Sequence, residues 1–261
     1  TLGYSTEDAI RELDATIKLG VLFKDWIPDT EYYHGFVEVA NDETDTRSEI
    51  LTSNVSSFYS LVNDCYNGGI NFNEATNTIP ANNELDKHDF AFHITTNKLC
   101  DFLFKYLKGR VNIIEDKISD VNTDGKNIQS IICEKSGEVS ADLFVDASGL
   151  NAMLLSKLDS AEWVDLSEHL PIDRAIPQKV KNNSGYIPSY TLANATKNGW
   201  IWQIPSQTEY GTGYLYSSKF TTDEEAKHDF NNWLQKNHSE KLNEEPRILK
   251  WKSGYWKKRW V

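Results

Sequence analysis

The chain has 261 residues, of which 39% are hydrophobic and 12% aromatic, enough to bury a substantial core in one large or two intergrown domains and too many for a disordered chain. A formal net charge of -12 leaves no basic excess to neutralise phosphates, which argues against a nucleic acid or an anionic membrane surface as partner. The three cysteines, Cys65, Cys100 and Cys133, sit far apart with no C-x-x-C spacing, which points to buried thiols in a reducing compartment and away from bridges or a metal site.

In chain order, residues 16–26 read as one strand, with Ile17, Leu19, Val21 and Phe23 on one face. Lys18, Gly20, Leu22 and Lys24 occupy the other face. A loop through Pro28 and Asp29 leads to Tyr32-Tyr33-His34-Gly35-Phe36. Leu99, Phe102, Leu103, Tyr106 and Leu107 recur with helical period, so residues 97–107 are expected as a helix stopped by Gly109. Three strands are expected next, over 111–115, 128–134 and 143–147, with Asp124-Gly125 turning the chain before the second. The third reads as a buried strand running into a small-residue turn, Asp146-Ala147-Ser148-Gly149. Residues 159–198 have weak periodicity and carry no assignment.

The segment Gly199-Trp200-Ile201-Trp202-Gln203-Ile204-Pro205 is the most specific in the chain. Two indoles at spacing two fall on the same face of an extended strand and make a flat aromatic wall. By itself the pattern fits a core strand with two large residues equally well. Residues 211–217 read as another strand. Thr222-Asp223-Glu224-Glu225 is a capping box opening a helix, with Ala226, Phe230, Trp233 and Leu234 as its apolar stripe. Residues 247–260 alternate enough for a strand pair around Ser253-Gly254. Helices mixed with meandering strands make the fold class α/β, an α+β mixture.

Taken in order, these segments resemble the flavin-dependent tryptophan halogenase family over nearly the whole chain. Asp14-Ala15-Thr16-Ile17-Lys18-Leu19-Gly20 through Phe23-Lys24-Asp25-Trp26 looks like the family's early strand, and His34-Gly35-Phe36 like its His-x-Phe segment. Phe90-Ala91-Phe92-His93 with the helix after it is similar to the element before the adenine-contacting strand. The Asp-Ala-Ser-Gly turn, common among flavoproteins, the more specific W-x-W-x-I-P strand and residues 213–220 complete the order. The family's opening Gly-rich turn, whose helix N-terminus holds a pyrophosphate, has no counterpart in these residues. Neither do its later glycine-aspartate motif and active-site glutamate. The expectation is an internal fragment of a longer enzyme, truncated at both ends and inactive alone.

The resemblance implies an FAD-binding Rossmann-like three-layer fold of the aromatic-hydroxylase type with an intergrown mixed β-sheet substrate region. Residues 1–261 would be one incomplete module, with roughly 97–150 in the FAD-binding region and roughly 14–62 and 160–261 facing substrate. It also implies an oxidoreductase in which FAD, as FADH2 from a separate flavin reductase, forms a hydroperoxide with O2. Halide attacks that hydroperoxide, and the resulting hypohalous acid halogenates an electron-rich aromatic such as tryptophan or an indole.

By position, Trp200, Trp202, Ile204 and Pro205 resemble the halogenase motif that keeps substrate from the flavin. Ile118, by its backbone, and Asp146, Ala147, Ser148 and Gly149 resemble the cofactor-binding residues, small side chains letting a cofactor close on the main chain. His34 and Phe36 resemble residues flanking the aromatic substrate. The position of the family's catalytic lysine falls on Leu22, which can neither donate a hydrogen bond to hypohalous acid nor form a haloamine. Lys18 and Lys24 are the substitutes within reach, and each also reads as a solvated or snorkelling charge. Two alternatives therefore stay open: an FAD-dependent monooxygenase of the same architecture, or a non-catalytic descendant binding an aromatic ligand or a protein partner. With no metal, no membrane span and no signal peptide in the pattern, the expected location is the cytoplasm.

Overall fold

A computed structural model describes residues 6–35, 91–183 and 186–257. In chain order the elements are α1 (Thr6–Leu13), β1 (Thr16–Lys18), β2 (Gly20–Lys24), β3 (Glu31–Gly35), β4 (Ala91–His93) and α2 (Thr96–Leu107). Then come β5 (Ile118–Thr123), β6 (Ile128–Cys133), β7 (Gly137–Ser140), β8 (Glu162–Asp165), β9 (Arg174–Lys181) and β10 (Tyr190–Thr196). The last are β11 (Gly199–Pro205), β12 (Glu209–Tyr216), α3 (Asp223–His238), β13 (Leu249–Lys250) and β14 (Gly254–Lys257). The chain divides into two compact units, Thr1–Lys105 with Arg174–Leu249, and Tyr106–Asp173 with Lys250–Val261.

The first unit is organised by a seven-stranded sheet in the order β13-β9-β12-β11-β10-β2-β3. It is mixed: β2 runs parallel to β10, while β10–β11, β11–β12, β12–β9 and β2–β3 are antiparallel. The helix α3 covers one face. Its Ala226, Phe230 and Leu234 are fully buried against Ile176, Val180, Ile201, Tyr210, Tyr214 and Tyr216, with Trp233 packed at the margin. Burying a Phe or Leu completely stabilises by about 1.5–3 kcal/mol each, so this stripe alone anchors the helix. Its start is the expected capping box: Glu225 N donates to Thr222 Oγ1 (3.2 Å) and Thr222 N to Glu225 Oε2 (2.9 Å). A smaller core joins Ala9, Leu13 and Ala15 to Phe92, Leu99 and Phe102, which ties α1 to α2.

Residues 16–26 are two strands and not one. Leu19 N leaves the ladder to donate to Ser189 O at 2.7 Å, so β1 pairs with β4 and β2 with β10 and β3. Burial follows no single face along the whole segment: Ala15, Thr16, Ile17 and Leu19 are all buried, whereas β2 alternates, with Gly20 and Leu22 buried and Val21 and Phe23 half-buried. The expected helix at 97–107 and the strands at 128–134 and 211–217 form within a residue or two of their predicted bounds.

In the second unit, β5, β6 and β7 make a three-stranded antiparallel sheet, and β8 pairs with β14. The Asp124-Gly125 turn is as expected, with Gly125 at φ +87° and Asp124 Oδ1 accepting from Lys126 N and Asn127 N. Three strand expectations fail here. Residues 112–117 are irregular, with Val111, Ile113 and Ile114 exposed, and the ladder begins instead at Ile118. Residues 143–147 are irregular as well, and Leu143 and Val145 are about four-fifths exposed (79% and 81%) where burial was expected. The reason is shared: an alternating apolar segment becomes a strand only when a neighbour satisfies its backbone, and none among the described residues does. Finally, β13 and β14 do not pair with each other, because β13 joins β9 and β14 joins β8. Cys133 is buried as expected, whereas Cys100 is exposed on α2, a helix with no fully buried residue.

Candidate functional site

Sheet register sets what Trp200 and Trp202 can face. Opposed residues of neighbouring strands share a side, and here Trp202 opposes Gly213 and Ala193 while Trp200 opposes Leu215 and Ala195. Ala193 in turn opposes Phe23, and Phe23 opposes Tyr32. The small partners make room. A Cβ on Gly213 would lie 2.1 Å from Trp202 Cη2, so only glycine lets that indole lie across β12. Tyr32 stacks on Phe23 (centroids 5.0 Å, 11° between planes), Phe23 meets the edge of Trp26 at 5.8 Å, and Trp26 lies 6.5 Å from Trp200. The Trp26 indole N–H donates to Ala193 O at 2.9 Å, which keeps that ring over the sheet. Tyr32, Phe23, Trp26 and Trp200 thus form a continuous run of rings on the side of the sheet away from α3, and Trp202 lies on that same side, across β12.

The alternate residues face α3. His238 Nε2 meets Gln203 Oε1 at 3.0 Å, and the Trp233 indole donates to Asn194 Oδ1 at 2.9 Å. Leu22 opposes Leu192, which itself opposes Gln203, so Leu22 lies on the α3 side of the sheet, opposite the paired indoles, and is buried. Lys24 opposes Asn194 on that same side and is exposed. Lys18 belongs to the separate β1–β4 ladder, opposite Ala91, and is half-buried. His34 opposes Val21 on the aromatic side, exposed, while Phe36 lies outside the described residues. Ile204 shares the side of the indoles with more than a third of its surface exposed, and Pro205 is buried.

Around the end of β11 the structure holds a polar cluster that periodicity could not reveal. Thr16 Oγ1 donates to Pro205 O at 2.8 Å and lies 3.1 Å from His93 Nδ1. His93 Nε2 lies 2.9 Å from Thr191 Oγ1. His93 and Thr16 are buried. Burial, and then the charge of Lys18, push the His93 pKa down from 6.5 to about 4, so the imidazole is neutral at physiological pH.

The second unit holds the small-residue turn. Asp146 accepts from Ser148 Oγ (2.6 Å), Ser148 N (3.0 Å), Leu154 N (2.9 Å) and Leu155 N (3.0 Å). Burial alone would raise its pKa, but these donors outweigh it and hold the value down to about 2. The carboxylate is thus a brace for the turn, with its acceptor capacity directed at its own loop. Gly149 takes a left-handed φ of +66°, and nothing lies within 4 Å of where its Cβ would stand. Ala147 and Gly149 line a cavity of about 710 Å³, together with Leu143, Val145, Leu155 and Trp256. Lys126, Asp142 and Asp146 line it as well, so the small residues with exposed backbone and the apolar side chains suit a flat part of a dinucleotide, with polar groups at hand for its hydrogen-bonding edge. Ile118 is half-buried at the start of β5, opposite Cys133, and does not line this cavity.

Solved structures share this architecture. The tryptophan 6-halogenase SttH of Streptomyces toxytricini superposes with a TM-score of 0.80 at 25% identity, over 98% of this chain and 54% of that one. A tryptophan halogenase from Shewanella frigidimarina NCIMB 400 gives 0.78 at 27% identity, over 97% and 50%. The fold is therefore that of the flavin-dependent halogenases, mixed α/β as expected. The family description "Tryptophan halogenase" matches residues 1–261, and the chain belongs to that family. In sequence it is 28% identical to SttH over 249 residues, 84% of this chain and 47% of SttH. It is 34% identical to the tryptophan 7-halogenase RebH of Lentzea aerocolonigenes over 147 residues, 54% of this chain and 28% of RebH. The chain spans about half the length of the relatives it matches most fully.

Proposed function

We infer that this chain is part of a flavin-dependent halogenase that halogenates an electron-rich aromatic such as tryptophan or an indole. The observation that carries the reading is the aromatic face built on Trp200 and Trp202, in a chain that matches the family from end to end. FAD, delivered reduced by a separate flavin reductase, would supply the oxidation of halide by O2. Ala147, Ser148 and Gly149 would approach it through their backbone, the turn held rigid by Asp146, with Ile118 contributing main-chain contact. Residues 97–150 then belong to the cofactor region, and 14–62 with 160–261 to the substrate side.

The aromatic face has two tasks in this reading. Trp200, Trp202 and Ile204 keep the arene from the flavin, so that halide meets the oxidant first, and a dry apolar wall preserves that oxidant from water. His34 and Phe36 flank the substrate. The cytoplasm, where reduced nicotinamide feeds a reductase, is the matching location; among the described residues no helix is long and apolar enough to cross a membrane.

One observation favours a second reading. The lysine position holds Leu22, buried and apolar, which suits an FAD monooxygenase that inserts oxygen and needs no halogen relay. The experiment that separates them incubates the full-length protein with FAD, a flavin reductase, NADH, bromide and tryptophan, followed by mass spectrometry. A brominated product supports the halogenase. An oxygenated product formed equally well without bromide supports the monooxygenase, and NADH oxidation with neither product removes both.

A further inference from the structure

The cluster at the end of β11 has a determinate direction. Pro205 O can only accept, so the single hydroxyl proton of Thr16 is committed to it over 2.8 Å. Thr16 Oγ1 therefore has only lone pairs to offer His93 Nδ1 at 3.1 Å, and that nitrogen must carry the ring proton. A neutral imidazole protonated at Nδ1 is bare at Nε2, so Thr191 Oγ1 donates to it over 2.9 Å. The chain of donors runs one way, Thr191 to His93 to Thr16 to Pro205, and links β10, β4, β1 and the last residue of β11. Its ends bear on the aromatic face. Pro205 closes the strand that carries Trp200 and Trp202, Thr191 stands two residues before Ala193 beneath that face, and Thr16 precedes the strand bearing Phe23.

We propose that His93 is a positioning residue of the aromatic wall: as a neutral ring protonated at Nδ1, it sets where the Trp200–Trp202 strand stands relative to β10 and to the strand carrying Phe23. Its bearing on coupling rests on the halogenase reading; its geometric content does not. Protonating the buried ring would reverse the Thr191 bond, the hydroxyl turning from donor to acceptor, and would set a charge beside Lys18, the charged group that faces it, so this direction of bonding holds in the neutral form.

The test has two arms on the full-length protein. In the first, histidine nitrogens are labelled and read by long-range nitrogen–proton NMR, with His93→Asn assigning the signal. His93 is expected as the Nδ1–H tautomer, unchanged from about pH 7 to about pH 5.5. A ring protonated at Nε2, or charged at the lower pH, overturns the proposal. Thr191→Val, which keeps the ring but removes its donor, is expected to leave the Nδ1–H tautomer that Thr16 fixes and to shift the fluorine signals of fluorotryptophan at Trp200 and Trp202, while Trp256 in the second unit stays put. Static signals at Trp200 and Trp202 overturn it.

In the second arm, halogenated product per flavin reoxidised is compared across wild type, His93→Asn and Thr191→Val. The variants are expected to lose about tenfold in that ratio, the scale of a displacement under an ångström, with flavin affinity unchanged. An unchanged ratio in folded Thr191→Val overturns the positioning role. Should His93→Asn fail to fold, Thr191→Val decides. Should the wild type halogenate nothing, the halogenase reading falls, and the tautomer and fluorine measurements still decide this one.

Discussion

Gly213 has no side chain because Trp202 occupies the space one would need. Alanine there would meet the indole at 2.1 Å and Ile176 O at 2.7 Å, so ring and backbone must both move. Gly213→Ala is expected to cost about 1–3 kcal/mol in urea unfolding and to alter tryptophan fluorescence. Gly211→Ala, where the nearest atom is 3.9 Å away, serves as the neutral control. Two titrating groups each cost stability in acid, over different pH windows. His93 binds its proton near 6.5 unfolded and near 4 folded, so between those values the unfolded chain takes up more protons and stability falls as pH drops. The loss approaches about 3 kcal/mol below pH 4, and His93→Asn should flatten the slope across that window. Asp146 acts lower. Its folded pKa is depressed from 3.8 to about 2, so its contribution is present above roughly pH 4 and disappears as pH falls toward 2. The stability gap between wild type and Asp146→Asn, followed by denaturant titration, should close over that range.

Among elements, α3 was the most legible, because its signals are local. The capping box lies within four residues, and Ala226, Phe230 and Leu234 recur at helical spacing. Thr222→Ala is expected to cost about 1 kcal/mol and Phe230→Ala about 3–5 kcal/mol, both by thermal or chemical unfolding. Strands behaved otherwise. β9 gave no readable pattern since Pro177 interrupts it; a proline is tolerated there because the outer neighbour, β13, is only two residues long. β10, with Ala193, Asn194 and Ala195 at its centre, is too small and polar to read as core, yet those small side chains are what let Phe23 and the indoles approach. The converse error came at 111–115 and 143–147, where apolar alternation has no partner strand among the described residues. Alternation advertises a strand; hydrogen-bonding neighbours make one.

For the whole molecule, the candidate site splits by what determines it. Membership in the tryptophan halogenase family rests on motif order, which is a property of the chain as written. What each face of a strand meets is not. Leu22 and Phe23 fall on opposite faces, as their alternation implies, but only the sheet sets Leu22 on the α3 side and Phe23 on the aromatic side. If Leu22 occupies the relay position, Leu22→Lys is expected to raise halogenated yield in the coupled assay while costing several kcal/mol for a buried ammonium. Equal yields in the folded variant and wild type would remove that position from the relay.

Composition, periodicity and motif order were sufficient for the mixed α/β class, the aromatic strand, the capped helix and the turn at Gly125, since each depends on residues close together in the chain. The break at Leu19, the partners of β13 and β14, the lattice joining Trp26 to Trp200 and the clasp on His93 were decided in three dimensions. They depend on groups as far apart as Thr16 and Pro205, and a buried donor finds its acceptor only once the sheet has set both in place.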